Sequence, residues 1–99
     1  MSLRVKISAR ASNQVRAAAK WCAENRPAAP DAIGIDFSEA VALLAEQPNI
    51  GVAYGGGRAI GIRRLFLGRV GHFVYYTATE DSLNVLAIWH ASREHQPVL

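Results

Sequence analysis

The sequence predicts an α+β fold of order β-α-α-β-β-β, an antiparallel sheet packed on one side by a helical hairpin. Three observations predict it. Leu3, Val5 and Ile7 alternate with Arg4 and Lys6, the period of a strand with one buried face. Two stretches of helical period follow, separated by prolines. From Ile60 the chain turns to short β-rich runs joined by connections of hairpin length. Successive hairpin-linked strands are antiparallel, and an amphipathic helical hairpin buries its apolar face only by lying on that sheet. With 99 residues, 51% of them apolar, the chain is long enough for one domain over 1–99, burying roughly 60 to 70% of its unfolded surface, and too short for two.

Leu3 to Ile7 is the first strand. Ser8 is placed to cap the helix that follows, where Ala11, Val15, Ala18 and Cys22 recur at helical spacing while Arg10, Arg16 and Lys20 project elsewhere. That buried stripe is thin and small, so a close approach to the neighbouring helix is expected, with Trp21 as the bulky exception. Asn25-Arg26-Pro27 ends the helix, because the residue before a proline is pushed out of the helical region and proline donates no amide hydrogen. Pro30-Asp31 suits the first turn of a second helix. Ile33, Phe37, Ala40, Val41 and Leu44 mark its buried face up to Pro48. Gly34 costs this helix about 1 kcal/mol against alanine, which predicts a close contact there.

Pro48 to Ala59, with Gly51 and the run Gly55-Gly56-Gly57, is expected to be a mobile loop. It precedes a strand and is followed by no Lys-Ser/Thr pair, so it is not a phosphate-binding loop. Ile60 to Leu67, His72 to Thr77 and Leu83 to His90 are the remaining strands, separated by Gly68 to Gly71 and Ala78 to Ser82. There is no internal repeat, low-complexity segment or charge block.

Charge and cysteine usage narrow the function. The formal net charge is +3, carried almost wholly by arginine, with lysine only at Lys6 and Lys20, so planar donor forks are available to a negatively charged partner. Cys22 is the single cysteine, which excludes an internal disulfide and a CxxC metal site. No cofactor or metal is expected, and a reducing cytoplasm fits best. The amino-terminal apolar run is too short for a signal peptide, and no stretch approaches the ~20 apolar residues of a membrane span.

The candidate site residues lie late in the chain. Metal-free RNA cleavage needs a base, an acid and a cation on the phosphate, and His72, His90, Tyr75, Tyr76, Arg63, Arg64 and Arg93 supply those types. Tyr75 and Tyr76 are adjacent on a strand and so point to opposite faces, as do Arg63 and Arg64. One tyrosine is expected in the core, and one arginine at most on the surface that bears His90. Trp21 and Trp89 suit core or interface anchors. His95 reads as tail.

Several motifs together resemble the RelE/ParE superfamily of small toxins from type II toxin-antitoxin modules. They are Ser8-Ala9-Arg10-Ala11, Arg26-Pro27-Ala28-Ala29, the run Ala42 to Gly51, Ile62-Arg63-Arg64-Leu65, His72-Phe73-Val74-Tyr75-Tyr76, and Val85 to Arg93 with its His90-x-x-Arg93 ending. That ending is more similar to the ParE branch. The resemblance implies a toxin that arrests growth by binding DNA gyrase and is neutralised by a cognate antitoxin. The alternative it implies is a RelE-like ribosome-dependent mRNA endonuclease, against which stands a tail, Ser92-Arg93-Glu94-His95-Gln96, with neither lysine nor tyrosine. Gln14 and Thr77 stand where many members carry an acidic residue and an arginine. The residues expected to bind antitoxin or target are Arg63, Arg64, Arg69, Tyr76, His90 and Arg93; an RNase would use Arg63, Tyr76, His90 and Arg93. An open sheet edge and the groove by the helical hairpin would receive the antitoxin segment.

Overall fold

The computed structural model describes residues 2–55, 61–93, 95 and 97–99. In chain order the elements are β1 (Arg4–Ile7), α1 (Ala9–Asn25), α2 (Ala32–Glu46), β2 (Val52–Ala53), β3 (Arg63–Leu67), β4 (His72–Ala78) and β5 (Ser82–His90). One sheet of order β1-β5-β4-β3-β2 carries all the strands. The expected α+β order is present, with two additions that sequence periodicity did not supply. β1 lies parallel to β5, with Ile7 beside Val85, which makes the sheet mixed; the chain between them runs through the helical hairpin and then β2, β3 and β4, far longer than the minimum that parallel pairing requires. β2 is a two-residue edge strand, antiparallel to β3, within the segment expected to be a loop. Ile60, expected to open the next strand, lies outside the described residues, as do Gly56 and Gly57.

Ser8 joins three elements. Its backbone N–H donates to the Val85 carbonyl at 3.0 Å. Its hydroxyl accepts from Ala11 N–H at 3.0 Å as the cap of α1 and donates to the Leu86 carbonyl at 2.9 Å. Leu86 is the extra residue of a bulge, since Tyr76 pairs with Val85 and Tyr75 with Ala87. The bulge turns the Leu86 carbonyl out of the ladder, and Ser8 satisfies it.

Between helices and sheet the core is built from Ala11, Phe37, Leu44 and Ala45 against Val74, Tyr76, Leu83, Val85 and Ile88. A second cluster, Cys22, Ala32, Ile33 and Val70, fills the far end of the hairpin. The outer face of the sheet has a small core of its own, Tyr54, Ile62 and Tyr75, against which Phe73, Leu86, Trp89 and Leu99 pack. The two adjacent tyrosines therefore do point to opposite faces, and both are buried.

The first part of the segment from Pro48 is pinned, in place of the mobility expected of it. Gly51 is buried, its N–H donates to the Tyr76 hydroxyl at 3.0 Å, and that hydroxyl donates to the Pro48 carbonyl at 2.7 Å. Arg63 closes the turn from above by donating to the Gly51 carbonyl at 2.8 Å. Gly34 also departs from expectation: a Cβ built there meets nothing within 4 Å, because its face of α2 borders an open hollow between the helices. Gly34→Ala is accordingly expected to stabilise the protein by about 0.5–1 kcal/mol, through helix propensity and a less free unfolded chain. A thermal melt checks it: the midpoint should rise by several degrees, and an unchanged or lower midpoint would contradict an open position.

Candidate functional site

A cleft of about 550 Å³ opens between α1 and the end of the sheet where β4 starts and β5 finishes. Its floor is apolar and small, Ala18, Cys22, Ala32, Val70 and Ile88, because the thin stripe of α1 holds the helix close to β5. Its walls are Trp21 and the two histidines His72 and His90, and Arg26, Arg69 and Arg93 stand around it. Trp21 is 54% exposed, with the Arg26 guanidinium 5.8 Å from its ring centre. An exposed tryptophan over an apolar floor ringed by cations is the composition of a docking cleft for an amphipathic, acidic segment.

Strand register brings the histidines together. His72 pairs directly with His90, and their rings meet edge to face at 4.8 Å. His72 Nδ1 donates to the Val70 carbonyl at 2.8 Å, which leaves Nε2 bare in the neutral ring. His90 has the opposite tautomer: its Nδ1 accepts the Ser92 N–H at 3.1 Å and contacts the Ser92 hydroxyl at 2.6 Å, so Nε2 carries the proton. Burial lowers the His72 pKa, partly countered by the Val70 carbonyl and reinforced electrostatically by the neighbouring His90 and Arg93. His72 therefore stays neutral at pH 7, and its buried neutral form contributes stability that fades as the pH falls below ~6.5.

Gln14 was singled out in the sequence only as a departure, yet its Oε1 accepts the Ile88 N–H at 2.9 Å. Beyond Ile7, β5 has no strand partner on that side among the described residues, and this side chain takes the place of one. Trp21 and Arg26 were not read as site residues either. The signal was there: Gln14, Ala18 and Trp21 recur at i, i+4 and i+7 along one face of α1.

The arginines expected to act together are distributed over different surfaces. Arg63 shares the helix-side face with His90, but its guanidinium is engaged by the Gly51 carbonyl, and it pairs with Tyr76, four residues or roughly 13 Å along the strand from the histidine pair. Tyr76 is fully buried and its hydroxyl both donates and accepts within the protein. Burial raises its pKa, so it is a neutral part of the scaffold. Arg64 lies on the outer face, 4.2 Å over Phe73 and hydrogen-bonded to the Tyr75 hydroxyl at 3.3 Å. Arg69 forms a fork with Asp36 at 3.0 and 2.5 Å, which holds its proton more firmly. Arg93 stacks on Trp89 at 4.2 Å while still lining the cleft. His90 and Arg93 are thus the two predicted residues that the cleft gathers, with Arg69 at its margin. Among the described residues no group of three or more histidine, cysteine, aspartate or glutamate side chains is arranged to hold a metal ion, and no helix is long and apolar enough to cross a membrane.

Comparisons with known proteins agree with this architecture. Eight solved chains match, among them one described as "Chromosomal ParDE TA system from P. aeruginosa", with a TM-score of 0.74 and 19% sequence identity over 92% of this chain and 98% of that one. No curated protein matches the chain. Residues 5–95 match the family model described as the ParE toxin of the type II toxin-antitoxin system parDE. That match spans β1 to the tail beyond β5, so the chain belongs to the ParE toxin family of type II toxin-antitoxin systems.

Proposed function

We propose that this protein is a growth-arresting toxin that acts by binding DNA gyrase, and that a cognate antitoxin neutralises it by laying an acidic, amphipathic segment into the cleft beside α1. The observation that carries the antitoxin site is the cleft itself. Trp21 offers a large, half-exposed anchor, the floor accepts small apolar side chains, and Arg26 and Arg93 present cations to carboxylates. Along the outer margin of β1 all four residues are exposed, including Val5 and Ile7. That edge offers unpaired backbone groups to a strand of the same antitoxin, with Arg4 and Lys6 alongside.

Gyrase binding is the activity associated with the family, and the arrangement of the polar residues favours protein binding over mRNA cleavage. The four residues an RNase would use do not converge: Tyr76 is enclosed, Arg63 is occupied by a turn carbonyl, and His90 and Arg93 lie at the other end of the strands. A gyrase supercoiling assay beside ribosome-dependent mRNA cleavage separates the two. Purified toxin should block supercoiling, leave mRNA on programmed ribosomes intact, and lose its effect when antitoxin is added. Specific mRNA cuts that vanish with His90→Ala would reverse the assignment.

A further inference from the structure

The outer face of the sheet takes no part in the cleft. β3, β4 and β5 contain no aspartate or glutamate. The described side-chain carboxylates lie on the helices and their caps, at Glu24, Asp31, Asp36, Glu39 and Glu46, or in the β4–β5 turn, at Glu80 and Asp81. On the outer face, register places Phe66 opposite Phe73 and Phe73 opposite Trp89, so one aromatic ring per strand forms a row across the sheet. The Phe66 and Phe73 ring centres are 5.0 Å apart, close to the strand spacing itself. Phe66 is 50% exposed, and Phe73 and Trp89 are half-buried. Guanidinium groups border the row: Arg64 lies 4.2 Å over Phe73, Arg93 4.2 Å over Trp89, and Arg10 5.8 Å from Trp89.

A row of rings bordered by arginines, with no side-chain carboxylate among the described residues of these strands, suits a polyanion that also presents flat apolar faces. Single-stranded nucleic acid is that polymer: a base stacks on the exposed ring and its phosphates meet the guanidinium groups, whereas a duplex keeps its base faces to itself. Reading a 2′-hydroxyl needs a side-chain acceptor or donor placed beside the sugar. Beside the row the Tyr75 hydroxyl already accepts from Arg64, and the guanidinium groups offer donors without acceptors. We propose that the outer face of β3, β4 and β5 binds single-stranded DNA, with a base stacked on the exposed Phe66 ring and phosphates held by Arg64 and Arg93, whose guanidinium groups cover Phe73 and Trp89.

The test is fluorescence anisotropy with a labelled oligothymidylate, an oligouridylate and a DNA duplex of equal length. The oligothymidylate should bind best, and raising the salt should release it. Phe66→Ala should weaken binding about tenfold, the loss of one stacked base, and Phe66→Leu, which keeps apolar bulk without a ring, should do the same. Arg64→Ala should lower the salt dependence by about one released ion. Absence of binding at low salt, equal binding of the duplex, tighter binding of the oligouridylate, or undiminished binding by both Phe66 variants would overturn the proposal.

Discussion

Gly51→Ala is expected to destabilise the protein by about 1–3 kcal/mol, the usual cost of forcing extra volume into a packed interior. A Cβ at that position would sit 2.3 Å from the Tyr76 hydroxyl oxygen and 2.8–2.9 Å from two ring carbons. The ring has nowhere to withdraw, because Tyr76 is fully buried and its hydroxyl is fixed between Gly51 N–H and the Pro48 carbonyl. Tyr76→Phe should cost a comparable amount for the opposite reason: it leaves a buried N–H without an acceptor, worth about 1–3 kcal/mol. Because the two substitutions act on one contact, their effects should not add. The double variant should be more stable than the sum of the single losses, since removing the hydroxyl relieves the shortest overlap. Denaturant unfolding of the four proteins measures this coupling. Strict additivity would mean that the turn and the strand are not joined through this contact.

Trp21→Ala is expected to weaken antitoxin binding by about thirtyfold or more, the loss typical of a central aromatic anchor. Its side chain is more than half exposed, so the unfolding midpoint should change little, and loss of affinity can be assigned to the surface. Arg93→Ala should add a smaller loss that disappears at high salt, where exposed charges are screened. Titration calorimetry at low and high ionic strength reads both. Full affinity in Trp21→Ala would remove the cleft from the interface and leave the β1 edge as the docking surface.

Much of the fold was legible in the chain because its signals are local. Ser8 announces a helix by what its hydroxyl does for the N–H three residues on, and Asn25-Arg26-Pro27 ends one by backbone sterics alone. The face of α2 carried by Ile33, Phe37, Ala40 and Leu44 is buried as its periodicity requires. Gly34 and the Pro48 segment were misjudged for a shared reason. Glycine frees the backbone equally whether the neighbouring space is empty, as at Gly34, or filled by a ring from twenty-five residues away, as at Gly51. Only the fold says which.

The candidate site was legible in kind and not in arrangement. His90 and Arg93 were identified, but their companions are supplied by α1 and by the β3–β4 turn, and alternation could not say which face of β3 meets the helices. The structure places Arg63 with the helices, held by Gly51, and Arg64 outside, stacked on Phe73.

By itself, the sequence determined the element order, the helix limits, the buried face of the hairpin and the family's motifs, since each depends on residues within a turn or two of one another. The tertiary structure alone decided that β1 enters in parallel beside β5, that Leu86 bulges, that His72 meets His90, and that Tyr76 is scaffold and not surface. Those outcomes rest on contacts between distant segments, where register and packing set which side chains share a space, and a local pattern carries no information about either.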